Sequence, residues 1–112
     1  MAVKILHTAD WQIGAKHAIL GPKAEKAREA RFVAAERAIA AANDANVDAV
    51  VLAGDTFEDA NVRGEDVLRV VDILRKSAAP VFVLSGNHDP LVPKGPFDKA
   101  AWRDAAPKVA VF

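Results

Sequence analysis

Pro80-Val-Phe-Val-Leu-Ser-Gly-Asn-His-Asp89 decides how the chain is read. A short apolar strand runs out at Leu84 into Gly86-Asn87-His88-Asp89, and Pro90, Pro93, Gly95 and Pro96 then keep the next segment stiff and non-helical. That strand end offers a tight turn, an amide carbonyl, an imidazole and a carboxylate. Two similar strand ends lie upstream, Thr8-Ala-Asp-Trp-Gln12 and Ala53-Gly-Asp-Thr-Phe-Glu58. Three strands that each deliver oxygen or nitrogen donors at their carboxyl ends describe a metal site on an α/β sheet.

The segments between these strand ends agree with that class. Val3 to Thr8 is aliphatic and β-branched without a breaker, which predicts a strand. After the loop from Ala9 to Gly21, Pro22 suits a first helical turn. From Lys23 to Ala45 the period is helical, with Phe32, Ala35, Ile39 and Ala42 on one face. Asn46 is a left-handed stop. Asp48 to Ala53 is a near-continuous apolar run, the pattern of a strand buried on both faces of a parallel sheet.

A second helix is predicted from Gly64 to Ser77, with Glu65 and Asp66 at its positive end and Val67, Val70, Val71 and Leu74 facing inward. A short helix from Phe97 to Ala105 and a strand from Lys108 to Phe112 complete the alternation. The expected architecture is a mainly parallel sheet flanked by helices, with right-handed crossovers.

Composition narrows the function classes. The 112 residues make one domain, 52% apolar, which argues against disorder. Fifteen basic and fifteen acidic residues cancel, so charge lends no support to a polynucleotide partner. There is no cysteine, hence neither a disulfide framework nor a thiolate metal site. Without a signal peptide or a membrane-length apolar run, the expected compartment is the cytoplasm. The chain stops inside the apolar Val111-Phe112, which leads us to expect the front part of a larger fold.

Asp10, Asp55 and Asn87 occupy three strand ends, one each. Carboxylate and amide oxygens form a hard donor set, suited to manganese, magnesium or iron. A carboxylate between neighbouring strand ends can bridge two ions about 3.5–4 Å apart, the spacing used for in-line attack on phosphorus. Phosphate-cradling glycine loops and a Gly-x-Ser-x-Gly elbow are absent, and Asp10-Trp11-Gln12 lacks the second aspartate of an aspartyl-phosphate enzyme.

These residues resemble the calcineurin-like metallophosphoesterases. Asp10-x-Gln12, Gly54-Asp55-x-x-Glu58 and Gly86-Asn87-His88-Asp89 are similar to that superfamily's Asp-x-His, Gly-Asp-x-x-Asp and Gly-Asn-His-Asp/Glu motifs. Lys4-Ile-Leu-His-Thr-Ala-Asp-Trp-Gln-Ile-Gly14 and Val47-Asp-Ala-Val-Val-Leu-Ala-Gly-Asp-Thr-Phe57 are further similar to the DNA repair exonuclease branch of SbcD type.

The resemblance implies the first half of a four-layer sandwich and two divalent ions, manganese first. It also implies a phosphodiester substrate, DNA in this branch, and an SMC-like ATPase partner of SbcC type. Asp10 is then a ligand of one metal, Asp55 the bridge, Asn87 a ligand of the second, and His88 the group that contacts the phosphate and serves the leaving oxygen. Glu58 stands where some relatives carry an aspartate that orients the histidine. Two departures stand out. Gln12 replaces a histidine and offers at best a weaker carbonyl ligand. No histidine follows residue 88, so the downstream Gly-His-x-His motif is missing.

Other residues carry plainer expectations. His7 reads as a hydrogen-bonded core or subsite histidine and His17 as a loop residue. Trp11 packs against the first helix or stacks under a base, packing being favoured, and Trp102 is core. Lys26, Arg28 and Arg31 form a solvated helix face or face a phosphate backbone, the first being favoured, and Asp59, Asn61 and Arg63 are loop polars. Alternatives to a nuclease are a phosphodiesterase or phosphatase for nucleotides or small esters, and a degenerate scaffold module. An exposed sheet edge and an uncovered apolar face would favour a homodimer.

Overall fold

A computed structural model describes residues 2–14, 18–58 and 62–112. His17, Asp59 and Asn61 therefore lie outside the described residues. Strands β1 (Ile5–Thr8), β2 (Ala49–Ala53), β3 (Val81–Leu84) and β4 (Val109–Val111) form a parallel sheet in the order β1-β2-β3-β4. A 3-10 helix (Ala18–Lys23), kinked at Gly21, leads into α1 (Ala24–Asp44). Helix α2 (Gly64–Arg75) joins β2 to β3, and α3 (Ala100–Ala105) precedes β4. None of the described helices is long and apolar enough to cross a membrane.

The strand order never reverses, and this decides where the helices go. Crossovers of one hand between strands laid down in one direction all fall on the same side of the sheet. Leu6, Val50, Val81 and Val109 share one row of that side, and Leu52 and Val83 the next. They pack against Phe32, Ala35 and Ile39 of α1, Val67, Val70, Val71 and Leu74 of α2, and Trp102 of α3. Each fully buried Val or Leu there contributes roughly 1.5–3 kcal/mol.

The opposite side is open, and here the structure corrects the expectation for β2. Its apolar run predicts burial on both faces, yet only Val50 and Leu52 are buried, while Ala49, Val51 and Ala53 remain partly exposed. Ile5, Phe82 and Leu84 share that open face, with Phe112 ring-to-ring against Phe82 at 5.9 Å. His7 points the same way and is exposed, so it is not a core histidine.

The α1 face is not simply solvated either. Arg28 bridges Glu25 (3.1 Å) and Asp66 (3.3 Å), and Arg31 donates to the Trp11 carbonyl. Asn43 closes the far end, donating to the Lys76 carbonyl and accepting from Ala78 N–H. Arg69 of α2 forks onto the Glu29 carboxylate while its guanidinium lies 4.0 Å from the Phe32 ring centre.

That fork holds Glu29 below its ordinary 4.5, the hydrogen bond from Arg69 being the main cause. A carboxylate with a depressed folded-state pKa stabilises above its unfolded value and loses that contribution as pH falls through the folded one. We therefore expect Glu29→Gln to lower the melting temperature near neutral pH and to flatten its decline below about pH 5. Melting curves from pH 7 to 3 test this. The pair is exposed, so 1 M salt should shrink the difference.

Candidate metal centre

The parallel pairing of β1 with β2 continues past both strand ends. Asp10 N–H donates to the Gly54 carbonyl (3.1 Å), Gln12 N–H to Asp55 (3.0 Å) and Ile13 N–H to Thr56 (2.9 Å). Glu58 N–H then donates back to Ile13 (2.9 Å). Two loops are thereby zipped, and the side chains that close the zip, Ile13 and Phe57, are fully buried. Phe57 stands edge-on to Phe97 and Trp102, and the Trp102 indole N–H donates to the Pro96 carbonyl. Trp102 is core, as expected. Trp11 packs on the same core with its indole N–H on the Thr8 hydroxyl.

Inside the zip the backbone is twisted into the left-handed region. Asp10 (φ 57°), Gln12 (φ 50°) and Asp55 (φ 52°) all sit there, beside Gly54 (φ 91°). Such backbone at a residue other than glycine costs of order 1–3 kcal/mol and persists only where surrounding contacts over-determine it. The buried Ile13 and Phe57 and the inter-loop bonds do that here. Three of the four residues expected from sequence to hold metal are thus on strained backbone.

The third strand end is docked onto Asp55. Asp55 Oδ1 accepts the His88 backbone N–H at 3.0 Å. Gly86 permits this approach, since a methyl group on its Cα would lie 2.4 Å from that same oxygen. Asn87 is carried between the two, exposed. His88 is also exposed, with Nδ1 at 3.0 Å from the Glu58 carbonyl oxygen. A carbonyl only accepts, so Nδ1 carries the proton and Nε2 is the free nitrogen. Glu58 meets the histidine through its backbone, not through the carboxylate suggested by sequence.

Asp89 is fully buried beneath these loops. Its Oδ1 accepts Gly86 N–H (2.7 Å) and Asp55 N–H (3.2 Å), and its Oδ2 accepts Phe57 N–H (3.1 Å). Burial pushes the carboxyl above its ordinary 3.8, against the pull of N–H groups from Phe57, Gly86, Asp55 and Thr56. Sequence reading counted the Asp89 carboxylate among the polar groups offered at this strand end and assigned it no structural role. The available signal was its position three residues after Gly86 and just before Pro90, where a carboxylate can turn back onto the chain.

Asp10, Gln12 and the Gly86–His88 turn each lie within one hydrogen bond of the Gly54-Asp55 pair, so the three motifs meet there. Their donors are two carboxylates and two amides, a hard oxygen set. Among the described residues, no three histidine, aspartate or glutamate side chains are grouped to hold a metal ion. The set fits a hard divalent cation as part of a coordination shell.

Residues 3–110 match the family of calcineurin-like phosphoesterases. A DNA double-strand break repair protein Mre11 from Methanosarcina acetivorans is 40% identical over 90 residues, covering 78% of this chain and 14% of that protein. The protein of that name from Methanosarcina mazei is 38% identical over the same shares. The one from Archaeoglobus fulgidus is 34% identical, covering 78% of this chain and 19% of its own length. The chain spans less than a fifth of the length of these relatives.

Proposed function

This chain belongs to the calcineurin-like phosphoesterase family, a family of metal-dependent hydrolases, and on that premise we propose that it forms part of a DNA phosphodiesterase of the repair-nuclease kind. The observation that carries the reading is the convergence on Asp55. Its carbonyl takes Gln12 N–H, its carboxylate takes His88 N–H, and it follows the Gly54 that takes Asp10 N–H. The names of the similar archaeal proteins, which place them in DNA double-strand break repair, support DNA as the substrate.

In this reading Asp10, Asp55 and Asn87 would hold two divalent ions, manganese by preference. Gln12 contributes its carbonyl weakly. Bound ions at such a site neutralise phosphoryl oxygens and acidify water. The chain's own residues set the geometry of attack. Asp55 fixes the backbone of His88, and the Glu58 carbonyl fixes the ring through Nδ1–H. Only with a second proton, on Nε2, can the ring hold a phosphate oxygen through Nε2–H and pass that proton to the leaving oxygen, while Nδ1–H stays on the Glu58 carbonyl. No histidine follows residue 88 in this chain, so its own donors to such ions are chiefly oxygens. A cytoplasmic location, an SMC-like ATPase partner and self-association through the sheet edge and its open face belong to the same proposal.

One observation favours a second reading, a nucleotide or small-ester phosphodiesterase: the formal charge is zero rather than basic. A substrate panel with manganese separates them. We expect the full-length protein to degrade single-stranded DNA and to lose this on Asp55→Ala, by a hundredfold or more if the metals supply several kcal/mol. Hydrolysis of cyclic nucleotides without DNA cleavage would favour the second reading. This chain alone should turn over bis(p-nitrophenyl) phosphate barely or not at all.

A further inference from the structure

We infer that Asp89 is a positioning residue whose buried carboxylate sets the spacing between Asp55 and the Asn87-His88 pair. The inference rests on the proposed site, and it deepens it by naming what holds two of its strand ends in register.

Strands β2 and β3 pair only as far as Ala53 with Leu84. Beyond that point the two chains carry the groups that matter, Asp55 on one and Asn87 and His88 on the other. No β ladder holds them there. Asp89 takes over that function. One oxygen spans both loops at once, accepting Gly86 N–H from its own turn and Asp55 N–H from the neighbouring one. The other oxygen reaches two residues further, to Phe57 N–H. Three backbone donors from two loops thus converge on one carboxylate with no exposed surface.

Only a carboxylate serves all three. Both of its oxygens accept, whereas an asparagine of the same shape presents an acceptor on one side and an NH₂ on the other. Asp89→Asn can satisfy Gly86 and Asp55, or Phe57, and not both sets. The bond lost is inside the protein, where an unmet donor is not compensated by water. Slack in this clamp reaches the site directly. Asp55 Oδ1 holds His88 N–H, and Glu58, one residue past Phe57, holds the His88 ring.

The test uses the ¹⁵N-labelled chain with Asp89→Asn and Asp89→Glu, read by amide hydrogen exchange and by the ¹⁵N shifts of the His88 ring. In Asp89→Asn we expect β2 and β3 amides to keep their protection. Exchange at Phe57, or at Gly86 with Asp55, should rise about tenfold or more. The His88 ring should move from the Nδ1–H pattern toward a mixture of tautomers. Asp89→Glu, which keeps both acceptors, should restore the wild-type His88 pattern. Manganese affinity should follow the same order, falling about 10–100-fold in the asparagine variant.

Unchanged protection and an unchanged His88 pattern in folded Asp89→Asn would overturn the inference. So would a glutamate variant indistinguishable from the asparagine one. If Asp89→Asn does not fold, Asp89→Ser, which accepts one bond and leaves room for water, is held to the same readings. Wild-type chain that takes up no manganese would count against the metal site alone, because exchange and the His88 pattern judge the clamp independently.

Discussion

Gly86→Ala is expected to lower stability by about 3 kcal/mol, the upper end for overpacking a closed site. An added methyl would meet Asp55 Oδ1 at 2.4 Å and Asp55 N at 2.6 Å. The second of these is backbone, and it cannot retreat. Asp55 N–H is held by Asp89, its carbonyl by Gln12 N–H, and the following Thr56 and Phe57 are fully buried. The strain therefore passes to the β2 loop as a whole. Near this chain length, 3 kcal/mol corresponds to a fall in melting temperature of about 10–20 °C.

Gly64→Ala provides the control. It opens α2, nothing lies within 4 Å of the added methyl, and its backbone is not left-handed, so the change should be neutral or slightly stabilising. Thermal melts of the two variants side by side check the argument. Equal melting temperatures would mean that the close approach of Gly86 to Asp55 is not a feature of the folded chain.

Much of the fold was legible because it rests on periodicity. The apolar runs ending at Thr8, Ala53 and Leu84 are the strands, and the Phe32, Ala35, Ile39 and Ala42 stripe is the buried face of α1. The one-sided sheet was not legible. An apolar run such as Ala49–Ala53 says that both faces are greasy, and cannot say whether a helix covers each of them. That depends on strand order, which local pattern does not encode.

The site divides in the same way. Asp10, Asp55, Asn87 and His88 were readable as chemical types at strand ends. Their mutual placement depends on backbone groups that carry no sequence signature. The Glu58 carbonyl that orients His88 would be present whatever residue stood at 58. The left-handed backbone at Asp10, Gln12 and Asp55 is likewise set by the buried Ile13 and Phe57 rather than by glycine. Arg28 looked like solvated surface because its partner Asp66 is 38 residues away.

The second large effect concerns the ion itself. Asp55→Ala should remove manganese binding by this chain altogether, since Asp55 is the one side chain assigned to both ions. Asp10→Ala and Asn87→Ala, each serving one ion, should weaken binding and leave part of it. The variant is not expected to unfold, because the Asp55 carboxylate makes one backbone bond, to His88 N–H, while the buried anchors Phe57 and Asp89 remain. Its loss should cost about 1–2 kcal/mol. Calorimetry against the wild type gives the comparison, and circular dichroism verifies the fold.

Residues 10, 55 and 87 are expected to surround a cation. Paramagnetic broadening maps that directly: Mn²⁺ is titrated into the ¹⁵N-labelled chain up to about millimolar, a range suited to an incomplete oxygen site. The amide signals of Asp10, Asp55, Asn87 and His88 should broaden first and together, and in Asp55→Ala they should not. Broadening that begins instead at the acidic residues of α1 and α2, or none at these four amides at millimolar metal, would contradict it.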